Sequence, residues 1–402
     1  MSNTENELAY YPQDASVDEL EIITSSGSFN VRRLLVELSY YEDLYSFVVS
    51  GYVILRDGQG IIEKLELSGK ESISIAFGKN EKGENAVKKV FRLYSVPDRT
   101  PIGNLRSEYI KLHFCSEELL LSESTKITKS FKGKTVSEMI EDIMSNELKT
   151  NSNNLTIEPS VGIYNFNIPT LKPFETISWL STYARPYGGK QGADMLFFET
   201  SDGFCFRSIQ SMLESEPYAT YKYQPKNLDF DNKSFGEGVI SVLDYEIMKS
   251  FDSLESTNTG VYANKLISID PLTRSLQTTK FNYSNYAQSA DSMNEQPVIA
   301  PSTNALGIKQ TEAYDSRIKV AISNSNQRDV GYIAEKQGST AKDIYIETYV
   351  PYRTAQLNLA NYTVLKMTIP GDTSLTVGRT VEFNLYSLQI DDTRKLDDYF
   401  SG

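Results

Sequence analysis

The sequence is poorest in the residues that most often carry chemistry. It has one histidine, His113, and two cysteines, Cys115 and Cys205, in 402 residues. A multi-histidine metal site is therefore impossible, and any Ser-His-Asp or Cys-His apparatus would have to use His113. That residue sits in the alternating segment 109–114, where a structural role is the plain reading. The cysteines are 90 positions apart, which makes no zinc motif and no disulfide framework. They fit a reducing compartment and leave room for at most one bridge. Positive charge is also short. Lys and Arg number 40 against 53 Asp and Glu, a formal net charge of −13. Bulk attraction to nucleic acid or to anionic lipid is disfavoured by that balance. No run approaches the roughly 18 apolar residues of a membrane span. The opening residues are polar and acidic, without a secretory pattern. Phosphate loops, dinucleotide fingerprints, nucleophile elbows and EF-hand loops are all missing from the sequence. No cofactor and no metal is expected.

What is present is tyrosine, 26 residues against one tryptophan. Tyrosine and the β-branched residues favour strands, and tyrosine is also enriched at contact surfaces. Residues 1–15 read as a disordered tail. Segments 17–24, 30–39, 45–56, 61–67, 71–78, 88–96 and 105–116 read as strands separated by turn signals, one β unit over 16–118. In 71–77, Ile73, Ile75 and Phe77 share one face and Ser72, Ser74 and Ala76 the other. A small α+β unit follows over 119–213. Thr135 and Glu138 form a capping box before the apolar stripe Val136, Met139, Ile140, Ile143, Met144 and Leu148. A second helix starts at Pro173 and turns Phe174, Ile177, Leu180 and Ala184 inward. A hairpin joins 195–200 to 204–209 across Ser201-Asp202-Gly203.

Beyond residue 213 the pattern breaks up. Short extended pieces and an amphipathic stretch at 238–250 precede a polar, irregular region at 256–339, loop-like over 282–297 and 324–329. Strand character returns from Asp343 to Leu388. The region 256–339 is read as an insertion in a β domain formed by 214–255 and 340–390. One internal echo supports a second β unit. Leu67-Ser68-Gly69 leads into Ile73-Ser74-Ile75, and Leu375-Thr376-Val377-Gly378 leads into Val381 to Leu385, each with a hairpin partner upstream, at 52–56 and 362–369. The chain is thus of the α+β class and β-rich.

Two other groups stand out. Lys88, Lys89 and Arg92 form a tight basic cluster, read as a solvated strand edge guarded by lysines, with phosphate or acidic-partner binding as the alternative. The carboxylate pairs Glu117/Glu118, Glu141/Asp142, Asp391/Asp392 and Asp397/Asp398 read as solvated faces. One of them could otherwise serve a hydrolase working with two acids.

The arrangement resembles the central baseplate hub protein of contractile-tailed, T4-like bacteriophages, the adaptor between tail tube and spike. The likeness covers about 16–390. It runs from the first β unit through the helical unit to Glu216-Pro217-Tyr218, which opens a second tube-like domain. An insertion begins near Gly260-Val261-Tyr262. The hairpin Ile369-Pro370-Gly371-Asp372-Thr373-Ser374-Leu375-Thr376-Val377-Gly378 resumes that domain. The resemblance implies two tail-tube-like β-barrel domains, at 16–118 and at 214–255 with 340–390, beside a small α+β domain and an inserted domain. It implies a non-enzymatic homotrimer whose six barrels form a pseudo-sixfold ring. That ring would match a hexameric tube above and a trimeric spike below, with other baseplate proteins as neighbours. DNA would pass through it transiently without specific binding, and no stable membrane insertion is implied. On this reading Ser72, Ser74, Thr380, Glu382 and Asn384 face the lumen. Ile73, Ile75, Phe77, Val381, Phe383 and Leu385 pack in the barrel cores. The protein would be made in the host cytoplasm and act in the virion. Residues 391–402 end where a further strand would close the second barrel, so either the segment is truncated or a neighbouring chain supplies that strand. The alternatives are another tube-like or spike-adjacent tail protein, a peptidoglycan-cleaving hydrolase using a carboxylate pair, and a secreted adhesin or carbohydrate-binding module.

Overall fold

Leu20 and Ile22 alternate with Glu21 and Ile23, and Val53 and Leu55 with Ile54 and Arg56. A period of two turns every second side chain to the same face of a strand, so these runs form half-buried sheet. The computed structural model describes residues 15–58, 60–65, 67–79, 87–103, 106–187, 194–223, 239–271, 274–283, 285, 317–322 and 346–385. Its first unit contains β1 (Ala15–Thr24), β2 (Gly27–Asn30), β3 (Leu35–Tyr41), β4 (Ser50–Asp57), α1 (Ile61–Leu65), β5 (Ser72–Lys79), β6 (Val87–Pro101) and β7 (Glu108–Cys115). The seven strands form one antiparallel sheet in the order β2-β1-β5-β6-β7-β4-β3. Register shifts interrupt β1–β5, β3–β4 and β6–β7, and such bulges add twist. The sheet curls into a half-barrel, and among the described residues β2 and β3 do not pair to close it. Its inner face is packed by Leu20, Ile22, Val53, Leu55, Ile73, Ile75, Phe91, Leu93, Ile110, Leu112 and Phe114. Gly51 is required there. A Cβ at this position would sit 2.2 Å from the Ser39 carbonyl oxygen and 2.5 Å from the Phe114 ring.

Several expectations fail in this unit: in 30–39 a single 3-10 turn at Arg32–Leu34 precedes the strand, and in 45–56 the strand starts only at Ser50. The run 61–67 is not a strand; Ile61–Leu65 is a short helix that drops Leu65 onto the core. The basic cluster is not on a strand edge either, because β6 lies in the middle of the sheet between β5 and β7.

The second unit holds α2 (Glu117–Ser124), β8 (Ser130–Lys134), α3 (Val136–Asn146), β9 (Leu155–Ile157), β10 (Ser160–Val161) and β11 (Tyr164–Asn167). It continues with α4 (Pro173–Ser181), β12 (Arg185–Pro186), β13 (Met195–Thr200), β14 (Gly203–Ser208) and α5 (Ile209–Leu213). The capping box forms as read: Thr135 Oγ1 accepts from the Glu138 N–H at 3.3 Å, and the Glu138 carboxylate accepts from the Thr135 N–H at 2.8 Å. Five stripe residues on α3 and Leu148 just past its end are buried, as are Phe174, Ile177, Leu180 and Ala184. They share one core with Met195, Phe197, Phe204 and Phe206 of the β13–β14 hairpin. That hairpin turns at Ser201-Asp202, as its sequence indicates.

The remaining chain supplies β15 (Thr220–Tyr223), β16 (Val239–Val242), β17 (Asp244–Lys249), α6 (Ser253–Thr259), β18 (Ala263–Asp270), β19 (Ser275–Asn282) and β20 (Ile318–Ile322). After these come α7 (Val350–Leu359), β21 (Val364–Thr368) and β22 (Glu382–Leu385). Strands early and late in this stretch pair with each other. β15 lies between β16 and β22 in a parallel sheet, and β17 pairs antiparallel with β21. Tyr221, Ile240, Val242, Phe383 and Leu385 form their shared core. Between them, β19-β18-β20 make a separate sheet. α7 packs its Ala355 and Leu359 against Val261, Tyr262 and Phe281.

Several readings are corrected here. The amphipathic stretch at 238–250 forms two strands, Val239–Val242 and Asp244–Lys249. Residues 343–388 are not continuous strand, because Val350–Leu359 is helical. Within 256–339, the described residues contribute three paired strands despite their polarity. The upstream hairpin partners of the internal echo are also absent: β4 pairs with β3 and β7, not β5, and β21 pairs with β17, not β22. The expected tail at 1–15, apart from Ala15, and the segment 391–402 lie outside the described residues, as does 324–329.

Candidate functional site: the junction between the units

The residues singled out in the sequence land as follows. Ile73 and Ile75 are buried in the first core, with Phe77 half-buried beside them. Phe383 and Leu385 are buried in the second β core, and Val381 packs against it. On the opposite faces, Ser72, Thr380, Glu382 and Asn384 are half-buried, and Ser74 is buried. The Ser74 hydroxyl donates to Glu19, which pairs with Lys88 at 2.8 Å. Glu382 accepts from the Thr220 hydroxyl at 2.7 Å and from the Asn384 amide at 3.1 Å. These bonds and the Lys88 pair hold the Glu19 and Glu382 carboxyls below the usual range.

The basic cluster is dispersed by strand alternation. Lys88 and Arg92 lie on the outer face, and Arg92 pairs with Glu117 at 2.9 Å. Lys89 points the other way and forms an ion pair with the fully buried Glu199. His113 is half-buried on β7, with its Nδ1 3.5 Å from the Tyr94 hydroxyl. Burial, helped by Lys111, lowers its pKa. Glu118 is held above the usual carboxylate range, chiefly by burial. Asp142 is held below it by Lys129 and Lys134, against the pull of burial. The pairs 391/392 and 397/398 lie outside the described residues. Both cysteines are free, and burial pushes the Cys115 thiol up to about 11. Among the described residues no cluster of His, Cys, Asp or Glu could hold a metal, and no helix is long and apolar enough to cross a membrane.

What the structure does bring together is a junction that no local pattern announces. Glu199 extends from β13 into the first unit. It accepts from the Val49 N–H at 2.6 Å, from the Ser116 hydroxyl at 2.6 Å and from Lys89. Each donor offsets part of the desolvation of the carboxylate, which makes burial tolerable. Glu42, at the end of β3, reaches the other way. It accepts from the Ser201 N–H in the β13–β14 turn at 2.6 Å and from the Val377 N–H ahead of β22 at 3.0 Å. Leu44, Phe198, Ile209, Met212, Leu357, Ala360 and Val377 fill one apolar cluster drawn from every unit. Gly378 (φ +84°) closes this contact. A Cβ there would lie 2.9 Å from the Phe198 ring and 3.0 Å from the Met212 sulfur. Two segments quoted for the family resemblance also meet: the Tyr218 hydroxyl donates to Asp372 at 2.7 Å, and the Tyr218 N–H donates to the Thr380 carbonyl. Neither Glu42 nor Glu199 carried a sequence signal, since each is one acid among 53.

The described arrangement has the chemistry of fixing units to one another. It defines a β-rich, multi-unit protein held by buried and half-buried polar clamps. No protein-family model matches the chain. It is similar, at 21% identity, to the probable baseplate hub protein gp334 of Vibrio phage KVP40, over 95% of this chain and 87% of that protein. The resemblance read from the sequence is thereby upheld: a relative along nearly the whole chain bears the name of a baseplate hub protein. Among solved structures, the tail protein from Neisseria meningitidis MC58 aligns over 94% of this chain and 88% of its own, at 10% identity and a TM-score of 0.49. The 43 kDa tail protein of prophage MuSo2 from Shewanella oneidensis aligns over 91% and 88%, also at 10% identity, with a TM-score of 0.48.

Proposed function

We propose that this chain is a structural baseplate hub protein of a contractile-tailed phage, acting in the virion and not as an enzyme. The observation that carries the reading is the whole-length similarity to a protein of that name. Three chains would form a ring in which the first β unit and the discontinuous unit of 214–255 and 340–390 alternate. The 256–339 region would be an insertion in that second unit. Such a ring has true threefold symmetry for a spike and approximate sixfold symmetry for a tail tube. The faces bearing Ser72, Ser74, Thr380, Glu382 and Asn384 would line the channel. On the first of these, Lys88 and Arg92 already have carboxylate partners, and the chain carries a net charge of −13. Both features suit a wall that lets DNA pass without holding phosphate.

The native mass in solution, measured by light scattering on a sizing column with and without a co-expressed spike protein, tests this. Three chains, alone or on the spike, are expected, with a central hole on imaging. Six chains would mean an ordinary tube protein, and a monomer under both conditions would overturn the hub reading.

A further inference from the structure

Glu42 is half-buried, and its two oxygens serve different parts of the chain. Oε1 accepts from the Ser201 N–H at 2.6 Å and from the Tyr40 hydroxyl at 3.1 Å, while Oε2 accepts from the Val377 N–H at 3.0 Å. Ser201 is 159 positions away and Val377 is 335. These three partners are neutral N–H or O–H donors, and among the described residues no cation pairs with Glu42, so the carboxylate is held by direction. Bonds from neutral donors to an ionised acceptor are short and strong, but only when the donors converge. They converge here only while the end of β3, the β13–β14 turn and the segment before β22 are all in place.

The geometry points to Glu42 as a latch: one carboxylate that holds the segment 371–378, and β22 behind it, against the first sheet and the β13–β14 turn. The surroundings fit a closing contact. Leu44, two residues beyond Glu42, joins the same apolar cluster as Phe198 and Val377. Gly378 follows with a positive φ and no space for a side chain. The three segments therefore close on one another through Val377, which offers its N–H to Glu42 and its side chain to the cluster. If that segment leaves, the cluster loses Val377 and the carboxylate loses one backbone donor together. Glu42 is thus a positioning residue that couples the two β units within one chain. That this coupling serves to set the spacing of β units around a ring rests on the hub reading; the latch itself does not.

Hydrogen exchange of the full chain, followed by mass spectrometry on wild type, Glu42→Ala and Glu42→Gln, decides the matter. In Glu42→Ala the peptides containing Ser201 and Val377 are both expected to exchange at least about tenfold faster, as loss of a charge-assisted bond implies. The β5–β6 and β13–β14 ladders should keep wild-type rates. Glu42→Gln keeps one acceptor oxygen, so it should restore protection at one of the two amides. Unchanged exchange at both sites in the Ala variant, or loosening at only one, overturns the latch. So does full protection of both amides in the Gln variant. If the Ala variant unfolds globally, the Gln variant decides: loosening at one amide with the other protected supports the latch, and full protection of both overturns it. The native mass of the wild-type sample separates this proposal from the hub reading. A latch that opens in a chain that never trimerises leaves the latch standing and sinks the hub. A trimer with unchanged exchange does the reverse.

Discussion

Asp194 and Glu199 lie five residues apart and are both buried, yet they meet opposite conditions. Glu199 has three donors. Asp194 has the Gln210 N–H on Oδ2 at 3.1 Å, and its Oδ1 has no hydrogen-bond partner among the described residues. Burial pushes the Asp194 carboxyl up to about 6; Glu158 adds to the rise, while the Gln210 N–H and Arg353 oppose it. An acid with a raised folded pKa binds its proton more tightly in the native state than in the unfolded chain. Stability then falls as pH rises from about 4 through about 6, because the unfolded chain ionises first. Over that window the loss should approach about 3 kcal/mol, the value of roughly two pKa units. In urea titrations between pH 4 and 7.5, the wild type should lose stability relative to Asp194→Asn, which keeps the acceptor and cannot ionise. Parallel curves for the two proteins would show that Asp194 is not the group responsible. Glu42 belongs to the same class of residue: an acid whose role is set by donors far along the chain.

At the scale of elements, two of the four described helices of the second unit, α3 and α4, were legible because two local signals agree, while the shorter α2 and α5 were not. Period-3.6 apolar stripes and end signals both mark α3 and α4. The capping box of α3 should therefore matter in isolation from the rest. Thr135→Ala removes the acceptor for the Glu138 N–H and should cost about 1 kcal/mol in chemical denaturation. Thr135→Ser, which keeps the oxygen, should cost far less, and equal losses would show that the methyl group matters and not the cap. The strands of the first sheet were legible through alternation. The short runs were not. In 61–67 the apolar residues Ile61, Ile62, Leu65 and Leu67 suit either period, and a run of that length cannot arbitrate between helix and strand. In 350–359 the residues Val350, Tyr352 and Thr354 favour a strand locally. Burial of Ala355 and Leu359 against Val261, Tyr262 and Phe281 goes with a helix instead. The polar insertion misled for the opposite reason. Its strand β18 buries Leu266, Ser268 and Asp270 on one face, so burial there does not follow hydrophobicity.

For the whole molecule, the junction decides how the units behave together. Phe198 sits in a cluster with Leu44 of the first unit, Met212 of the second, and Leu357 and Val377 from the later chain. Phe198→Ala should cost about 3–5 kcal/mol, the usual effect of emptying a buried aromatic position. Since the cavity touches every unit, a single thermal transition in the wild type should broaden or split in the variant, as followed by calorimetry. A uniform shift without broadening would show that the units are coupled elsewhere.

By itself, the sequence determined the β-rich class, the α3 and α4 helices with their buried faces, the β13–β14 hairpin and the resemblance to a hub protein. It did so because each rests on a repeat of two or 3.6 residues, or on a capping pattern within one turn. Only the tertiary structure decided the central place of β6, the inward turn of Lys89 to Glu199, the pairing of β15 with β22, and the closure of Glu42 on Ser201 and Val377. The last three bring together residues from 110 to 335 positions apart, and the place of β6 follows from how the whole sheet is ordered. A carboxylate looks the same in sequence whether it faces water or two distant backbone amides, and only packing selects between them.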